Sequence, residues 1–549
     1  MRPVTLRSGM AVTACFALIT ASRVSAQARP EPAAIERTIP VLPQSAAPLT
    51  IQTPANNVRP HLSAGGRFTL GAVNIDGATV FSRKDLSRFF EPYLASDVDG
   101  AKLNEMAARI TDQYRRTGYV LSYAVVPPQN VEAGMIRVAV VEGRIGSVSV
   151  SGAGAEQGAI ESIAAPLLHD SPLKVSTLER ALGLMRDLPG LSVTDVALLR
   201  TDAQAGLYAL RITVKQDRLR GFVYSDNRGT DSVGRMRFYS SASVSSVVLQ
   251  GDEFRLDLFG MPGRRFHYAY GQLFAGVPLG YSGARLSLAA SKGDQYLKDE
   301  RFDGDSTNVS AQLTYPMLRT RNLTLTGKVS ANDLRSVGEQ NHDRRLRDHM
   351  RVVRLGVEFS NEAKTRFQGE LTFSRGLGFG GATRPGDPLA SRTDASGKFT
   401  KGVLSLQLSR PVSQKVSVRA VASAQYSNEP LLSAEEFSLG GNRIGRAFAF
   451  NALTGDRGIG GGAEVGYRLS AGKKNRPGIE MFGFIDGGSA IEAKSDIVTG
   501  DRKRSLASTG AGLRFSLAGA AFSVEAGVPI AAKRLDRSPH LFFSTYRAF

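Results

Sequence analysis

From about Arg218 to Phe549 the chain alternates apolar and polar positions with a period of two. Phe254, Leu256 and Leu258 interleave with Glu253, Arg255 and Asp257; Val309, Ala311, Leu313 and Tyr315 interleave with Ser310, Gln312 and Thr314. Leu323 to Val329, Val353 to Phe359, Leu404 to Leu408 and Val416 to Tyr426 repeat the pattern. Successive side chains of a strand point to opposite faces, so each segment predicts a strand with one apolar face. A soluble sandwich shows the same period. Here the second face carries much Gly, Ser and Ala, which suits a wet lumen better than a packed interior. The pattern therefore favours a transmembrane β-barrel. At roughly 20 residues per strand and connection it holds about 16 antiparallel strands. Leu541, Phe542, Phe543, Tyr546 and Phe549 place aromatics where a last strand meets a membrane interface.

Before this region the period changes. Phe68 to Ile75 reads as a strand, and Leu103, Met106, Ala107, Ile110 and Tyr114 follow helical spacing. Tyr119 to Val126 and Met135 to Glu142 read as strands, giving the order β-α-α-β-β. The order then repeats with a strand at Ile145 to Val150 and a helix carrying Leu178, Ala181, Leu182 and Met185. Strands follow at Leu191 to Leu198 and Leu207 to Val214. Ser176 and Glu179 have the spacing of a capping box for that helix. Both apolar stripes read as core.

The N-terminus is different again. Arg2 and Arg7 precede the apolar run Met10 to Ala21, which ends in Val24-Ser25-Ala26 and Ala26-Gln27-Ala28. That is the form of a secretory signal peptide, cleaved at Ala26 or Ala28. Pro30, Pro32, Pro40, Pro43, Pro48, Pro54 and Pro60 then predict an extended linker in which a helix that plugs a barrel is doubtful.

Composition narrows the chemistry. With one Cys in 549 residues, Cys15 in the leader, a disulfide framework and a Cys-based metal or cluster site are excluded. A mean hydropathy of −0.14 argues against a polytopic helical membrane protein. The net charge of +19 would fit nucleic acid in a cytoplasmic protein. In an exported one it fits lipid phosphates, a channel lining or the capture of a partly acidic chain. Gly458-Ile459-Gly460-Gly461-Gly462-Ala463 spells a dinucleotide fingerprint, but an alternating strand follows it and not a helix. The residues supply no catalytic, metal or cofactor motif.

Several segments resemble the transporters of two-partner secretion, the haemolysin and haemagglutinin secretion/activation family. Pro127-Pro128-Gln129 through Val141-Glu142-Gly143 resembles the end of a first polypeptide-transport-associated (POTRA) domain. Asp226-Asn227-Arg228-Gly229-Thr230, Gly276 to Gly280, Ser427 to Leu431, Phe437 to Gly441 and Gly455-Asp456-Arg457-Gly458 match in order and spacing. Ile444-Gly445-Arg446-Ala447-Phe448 is similar to the family's motif at the tip of a loop folded into the barrel, with Ala447 where Gly is usual. Phe484-Ile485-Asp486-Gly487-Gly488 is similar to its strand motif. On its own residues Arg446 reads as a solvated turn arginine. The resemblance implies instead that its guanidinium pairs with the Asp486 carboxylate and locks the loop. Gly440, Gly441, Gly445 and Phe448 belong to the loop motif, and Phe484 and Gly488 to the strand motif.

The resemblance implies a β-dominated chain: signal peptide 1–28, linker 29–66, POTRA-like units 67–144 and 145–217 in the periplasm, and an outer-membrane barrel 218–549 with a loop folded inward around 437–458. The expected activity is export of an unfolded exoprotein bound by the POTRA-like units. Outer-membrane lipid, lipopolysaccharide and the barrel assembly machinery are further expected partners; nucleic acid and cofactors are not. The alternatives are an insertase of the assembly branch, whose members generally carry more POTRA units, and a passive porin, which leaves the two units without a task.

Overall fold

The computed structural model describes residues 51–52, 66–152, 154–229, 234–263, 266–297, 301–341, 343–473, 476–493, 502–532, 535 and 538–549. The expected signal peptide, with Cys15, and the expected linker apart from Ile51, Gln52 and Gly66 lie outside the described residues.

Strand Ala72–Asp76, helices Arg83–Ser87 and Gly100–Arg116, and strands Tyr123–Val125 and Met135–Val141 follow in the expected order. Met135–Val141 is the middle strand of their sheet. Helix Gly100–Arg116 buries Leu103, Met106, Ala107, Ile110 and Tyr114, the stripe its periodicity predicts. Asp99 caps it by accepting the Lys102 N–H at 2.9 Å. Glu142, after the last strand, accepts hydrogen bonds from the Thr79 N–H at 2.8 Å, the Val80 N–H at 3.0 Å, the Tyr114 hydroxyl at 2.7 Å and the Thr79 hydroxyl. One carboxylate thus joins the strand, the helix and the chain between them.

The order repeats in strand Arg144–Ser151, helices Gln157–His169 and Val175–Asp187, and strands Leu191–Asp202 and Leu207–Gln216. The capping box does not form. The helix starts at Val175, with Lys174 in the cap position and no side-chain cap, and the Glu179 carboxylate instead accepts the Arg321 N–H at 3.2 Å. A tertiary partner has won over the local one. The two units are hooked together: the Tyr123 hydroxyl donates to the Ala203 carbonyl at 2.7 Å, and the Val175 N–H to the Gly118 carbonyl at 2.8 Å. Ile51–Gln52 adds a short parallel strand to the Leu191–Asp202 edge, opposite Val196 and Ala197.

Sixteen strands of the described residues, from Leu219–Asp226 to His540–Ala548, close into an antiparallel barrel. The first strand pairs with both the second and the last. Strand lengths run from 8 residues in Leu219–Asp226 to 19 in Asp343–Asn361. The outward face exposes Leu256, Leu273, Leu288, Leu355, Ile459 and Ile485, an apolar belt for lipid, while Asp226, Asp257, Glu464 and Asp486 face inward and are buried. No helix among the described residues is long and apolar enough to cross a membrane; the strands make the crossing.

The second α/β unit is fastened to the connections at one end of the barrel. Asp187 receives the Arg319 guanidinium bidentately at 2.9 and 3.0 Å. Arg180 donates to the carbonyls of Pro316 and Ser282 at 3.0 and 2.9 Å, and buried Glu156 accepts the Gly251 N–H at 3.2 Å. Burial pushes the Glu156 carboxyl above its ordinary range. These contacts mark the periplasmic end, so the connection from Ser427 to Arg457 emerges at the opposite, extracellular end.

Candidate functional site: an in-folded loop and its receiving wall

That connection does not stay at the rim. Its base is a short antiparallel pair, Phe437–Leu439 with Leu453–Gly455. Asp456, fully buried, accepts the Leu431 N–H and an Arg392 N–H at 2.7 Å each and the Ala493 N–H at 2.8 Å. Arg392, from the preceding extracellular connection, also meets Glu436 at 2.9 Å and Asp394 at 3.0 Å. Glu435 is held by Lys401 at 2.6 Å and by Arg354. One carboxylate therefore joins both ends of the loop to its two neighbours.

Beyond the base, Gly440 and Gly441 turn the chain with φ of +109° and +102°, a conformation other residues rarely adopt. The tip then lies against strands Arg457–Lys473, Arg476–Glu492, Arg502–Leu517 and Ala520–Ala532. Close approach depends on small residues in the wall: a Cβ at Gly458 would sit 1.9 Å from the Phe437 ring. Ile444 and Phe448 pack with Phe437, Leu439, Leu453, Ala490 and Leu506. Ala447, where the resembling family usually has Gly, fits because Gly527 faces it; the Ala447 Cα lies 3.0 Å from where a Gly527 Cβ would stand.

Arg446 and Asp486 are brought together, but not by the bond expected. Asp486 accepts the backbone N–H of Gly445 at 2.8 Å, that of Arg446 at 3.3 Å and the Ser508 hydroxyl. Its oxygens are filled by the loop backbone and the neighbouring strand. The Arg446 guanidinium runs past it to two other wall carboxylates, Glu464 at 2.8 Å and Glu525, and lies 3.8 Å from the centroid of the Phe484 ring. The bidentate Arg446–Asp486 pair is corrected accordingly: the aspartate holds the main chain of the tip, and the arginine is held by a pair of glutamates. Gly445, with φ of +83°, gives its N–H to Asp486, and Gly488 leaves room for Leu439, 3.0 Å from where its Cβ would be.

The charges form a ladder across the lumen wall. Arg228 meets Glu525 at 2.5 Å and donates to the carbonyls of Arg446 at 2.9 Å and Gly441 at 3.3 Å. Glu464 also pairs with Arg514 at 2.7 Å and Arg419 at 2.6 Å, and both of these reach Glu480. Arg237, fully buried against Asp226, lies 3.9 Å from the Phe450 ring centroid. Sequence reasoning quoted the segments holding Arg228 and Asp456 but gave them no role, and it missed Glu464, Glu525, Arg514 and Arg392. The available signal was a lone carboxylate on the lumen face of a Gly-rich strand, as Glu464 is. Among the described residues no cluster of His, Cys, Asp and Glu could hold a metal.

Residues 209–515 match the family described as haemolysin secretion/activation protein ShlB/FhaC/HecB, and residues 68–143 match the POTRA domain of ShlB type. Among curated relatives, the heme/hemopexin transporter protein HuxB of Haemophilus influenzae is 25% identical over 266 residues, 47% of this chain and 46% of the relative. The chain thus matches about half the length of that protein. The outer membrane transporter CdiB of Dickeya dadantii is 24% identical over 475 residues, 81% of this chain and 82% of the relative. The solved structure of CdiB from Escherichia coli superposes with a TM-score of 0.73 at 20% identity, covering 94% of this chain and 95% of that one; this likeness shows the fold.

Proposed function

The chain belongs to the haemolysin secretion/activation protein family of the bacterial outer membrane, and on that premise we propose that it exports an unfolded partner exoprotein through its barrel. The observation that carries the reading is the loop tip: it occupies the lumen yet is held by contacts that can be exchanged. The POTRA-like units, fastened at the periplasmic end, receive the extended partner chain by strand addition to their sheet edges. In favour of this, the Leu191–Asp202 edge already accepts an extended strand, Ile51–Gln52. Arg446 and Asp486 then act together as the lock of the tip, through Glu464, Glu525 and the loop backbone. Release moves the tip from the wall, and folding of the partner outside prevents return, since the periplasm supplies no nucleotide. The barrel assembly machinery inserts the barrel itself.

The test is comparative proteomics of supernatant, cell surface and outer membrane with and without the gene. Loss of one large exported protein, with other barrels unchanged, is expected. A broad fall in outer-membrane barrels would make the chain an insertase and overturn the reading.

A further inference from the structure

The lipid-facing wall is not uniformly convex. A groove with a cavity volume of about 840 Å³ runs across it from the first strand to strand Arg366–Leu377. Its floor is made of small side chains, Ala242, Ala275, Ala290, Ala311 and Ala331, and Leu256, Leu273, Leu288 and Val309 stand beside them. The groove follows the strand pairing: register partners lead from Ala290 through Val309 and Asp333 to Arg351, and from Leu288 through Ala311, Ala331 and Val353 to Arg375. Because the strands are tilted, a line along the pairing climbs through the belt. It leaves the first strand at Leu219, its periplasmic end, and reaches Arg351 well above the periplasmic turn at residues 320–322.

The upper end is polar and carries surplus positive charge. Asp333 accepts the Arg351 Nε–H at 2.7 Å and the Arg335 Nε–H at 3.3 Å, with His349 Nε2 at 3.1 Å. Two guanidinium groups therefore share one carboxylate. Arg335 is exposed, as is Arg375 two strands away, beyond Asp343–Asn361; Lys292, two strands away on the other side, is paired with Asp294 at 3.4 Å. These side chains stand where the apolar belt gives way to polar positions, the level of lipid headgroups on the extracellular side.

We propose that this groove is a binding site for one phosphorylated glycolipid of the outer leaflet: its acyl chains lie over the alanine floor and its phosphates meet Arg335, Arg351 and Arg375. Charge complementarity selects the occupant. The cations sit at the extracellular end, so an anionic lipid of that leaflet satisfies them, whereas a phospholipid of the inner leaflet would place its phosphate at the apolar end near Leu219. The site rests on the outer-membrane location and not on export, so its failure would leave the transport reading intact.

The test is native mass spectrometry of the full-length protein in mild detergent, titrated with purified lipid A and, separately, with phosphatidylglycerol. The wild type should hold one lipid A in preference to phosphatidylglycerol. The double variant Arg335→Gln/Arg375→Gln, checked for assembly by heat-modifiable mobility, should bind lipid A roughly thirtyfold more weakly, about the effect of removing two surface cations. Ala311→Phe should weaken it without changing charge, by filling the floor. Equal binding of both lipids by the wild type would overturn the proposal. So would lipid A binding that neither set of substitutions alters. If a variant fails to assemble, the wild-type comparison of the two lipids decides.

Discussion

The base and the tip of the inward loop are held by different physics. At the base, Asp456 is fully buried and its oxygens are spent on the N–H groups of Leu431 and Ala493 and on Arg392. Remove it and two buried backbone donors lose their partner, while the Arg392 guanidinium keeps Glu436 and Asp394. At the tip, every wall carboxylate that Arg446 uses has a second cation: Glu464 keeps Arg514 and Arg419, and Glu525 keeps Arg228. Withdrawal of Arg446 leaves neither glutamate alone. A buried N–H left without an acceptor is the costly outcome, so on the proposed reading the base resists opening and the tip is the part that leaves. On the proposed reading the loop moves beyond Gly440–Gly441 while its base stays closed.

The largest effect separating the two ends is expected from paired substitutions. Asp456→Ala leaves the buried Leu431 and Ala493 N–H groups without an acceptor and should cost about 2–6 kcal/mol, reducing the yield of heat-modifiable barrel. Asp486→Ala exposes only two loop N–H groups and a hydroxyl to rearrangement, at about 1–3 kcal/mol. Its barrel should assemble, with raised single-channel conductance and lost export, and Arg446→Ala should match it. Normal assembly of Asp456→Ala, or failed assembly of Asp486→Ala, would break the contrast.

A smaller effect lies in the first α/β unit, far from the loop. Burial pushes the Glu142 carboxyl up, but the hydrogen bonds from Thr79, Tyr114 and Val80 outweigh it and hold it below its ordinary range. A depressed carboxylate contributes stability above its unfolded value, lost as pH falls through the folded one. Glu142→Gln should therefore lower the unfolding temperature at pH 7 by the equivalent of about 1–2 kcal/mol, and the difference from wild type should shrink below pH of about 4. Thermal melts across that range decide it; a constant difference would mean that Glu142 acts by shape and not by charge.

The barrel was legible because alternation records only which face a side chain takes, and lipid and lumen impose that choice on every strand. The buried stripe of helix Gly100–Arg116 was legible for the same reason at its own period. The ladder was not. Arg228 and Glu525 are 297 residues apart, and alternation places both in the lumen without saying that they meet. The motifs named Arg446 and Asp486, but residue types do not say which atoms touch. Once the Gly445 and Arg446 N–H groups and the Ser508 hydroxyl occupy the aspartate, the guanidinium must go elsewhere. Glu179 shows the same limit at a helix start, since the Arg321 N–H could not be foreseen from the local capping pattern.

The central claim, a moving tip on a fixed base, is tested most directly by disulfide trapping, for which the sole native cysteine, Cys15, is in the expected leader. Ala447→Cys with Ser508→Cys ties the tip to the wall, where the Ala447 N–H donates to the Ser508 hydroxyl at 3.3 Å. Ser438→Cys with Thr454→Cys ties together register partners in the base. Export of the partner is then compared under oxidising and reducing conditions. The account expects the tip disulfide to stop export until it is reduced and the base disulfide to leave export unchanged. Export through the locked tip, or a block at the locked base, would contradict it.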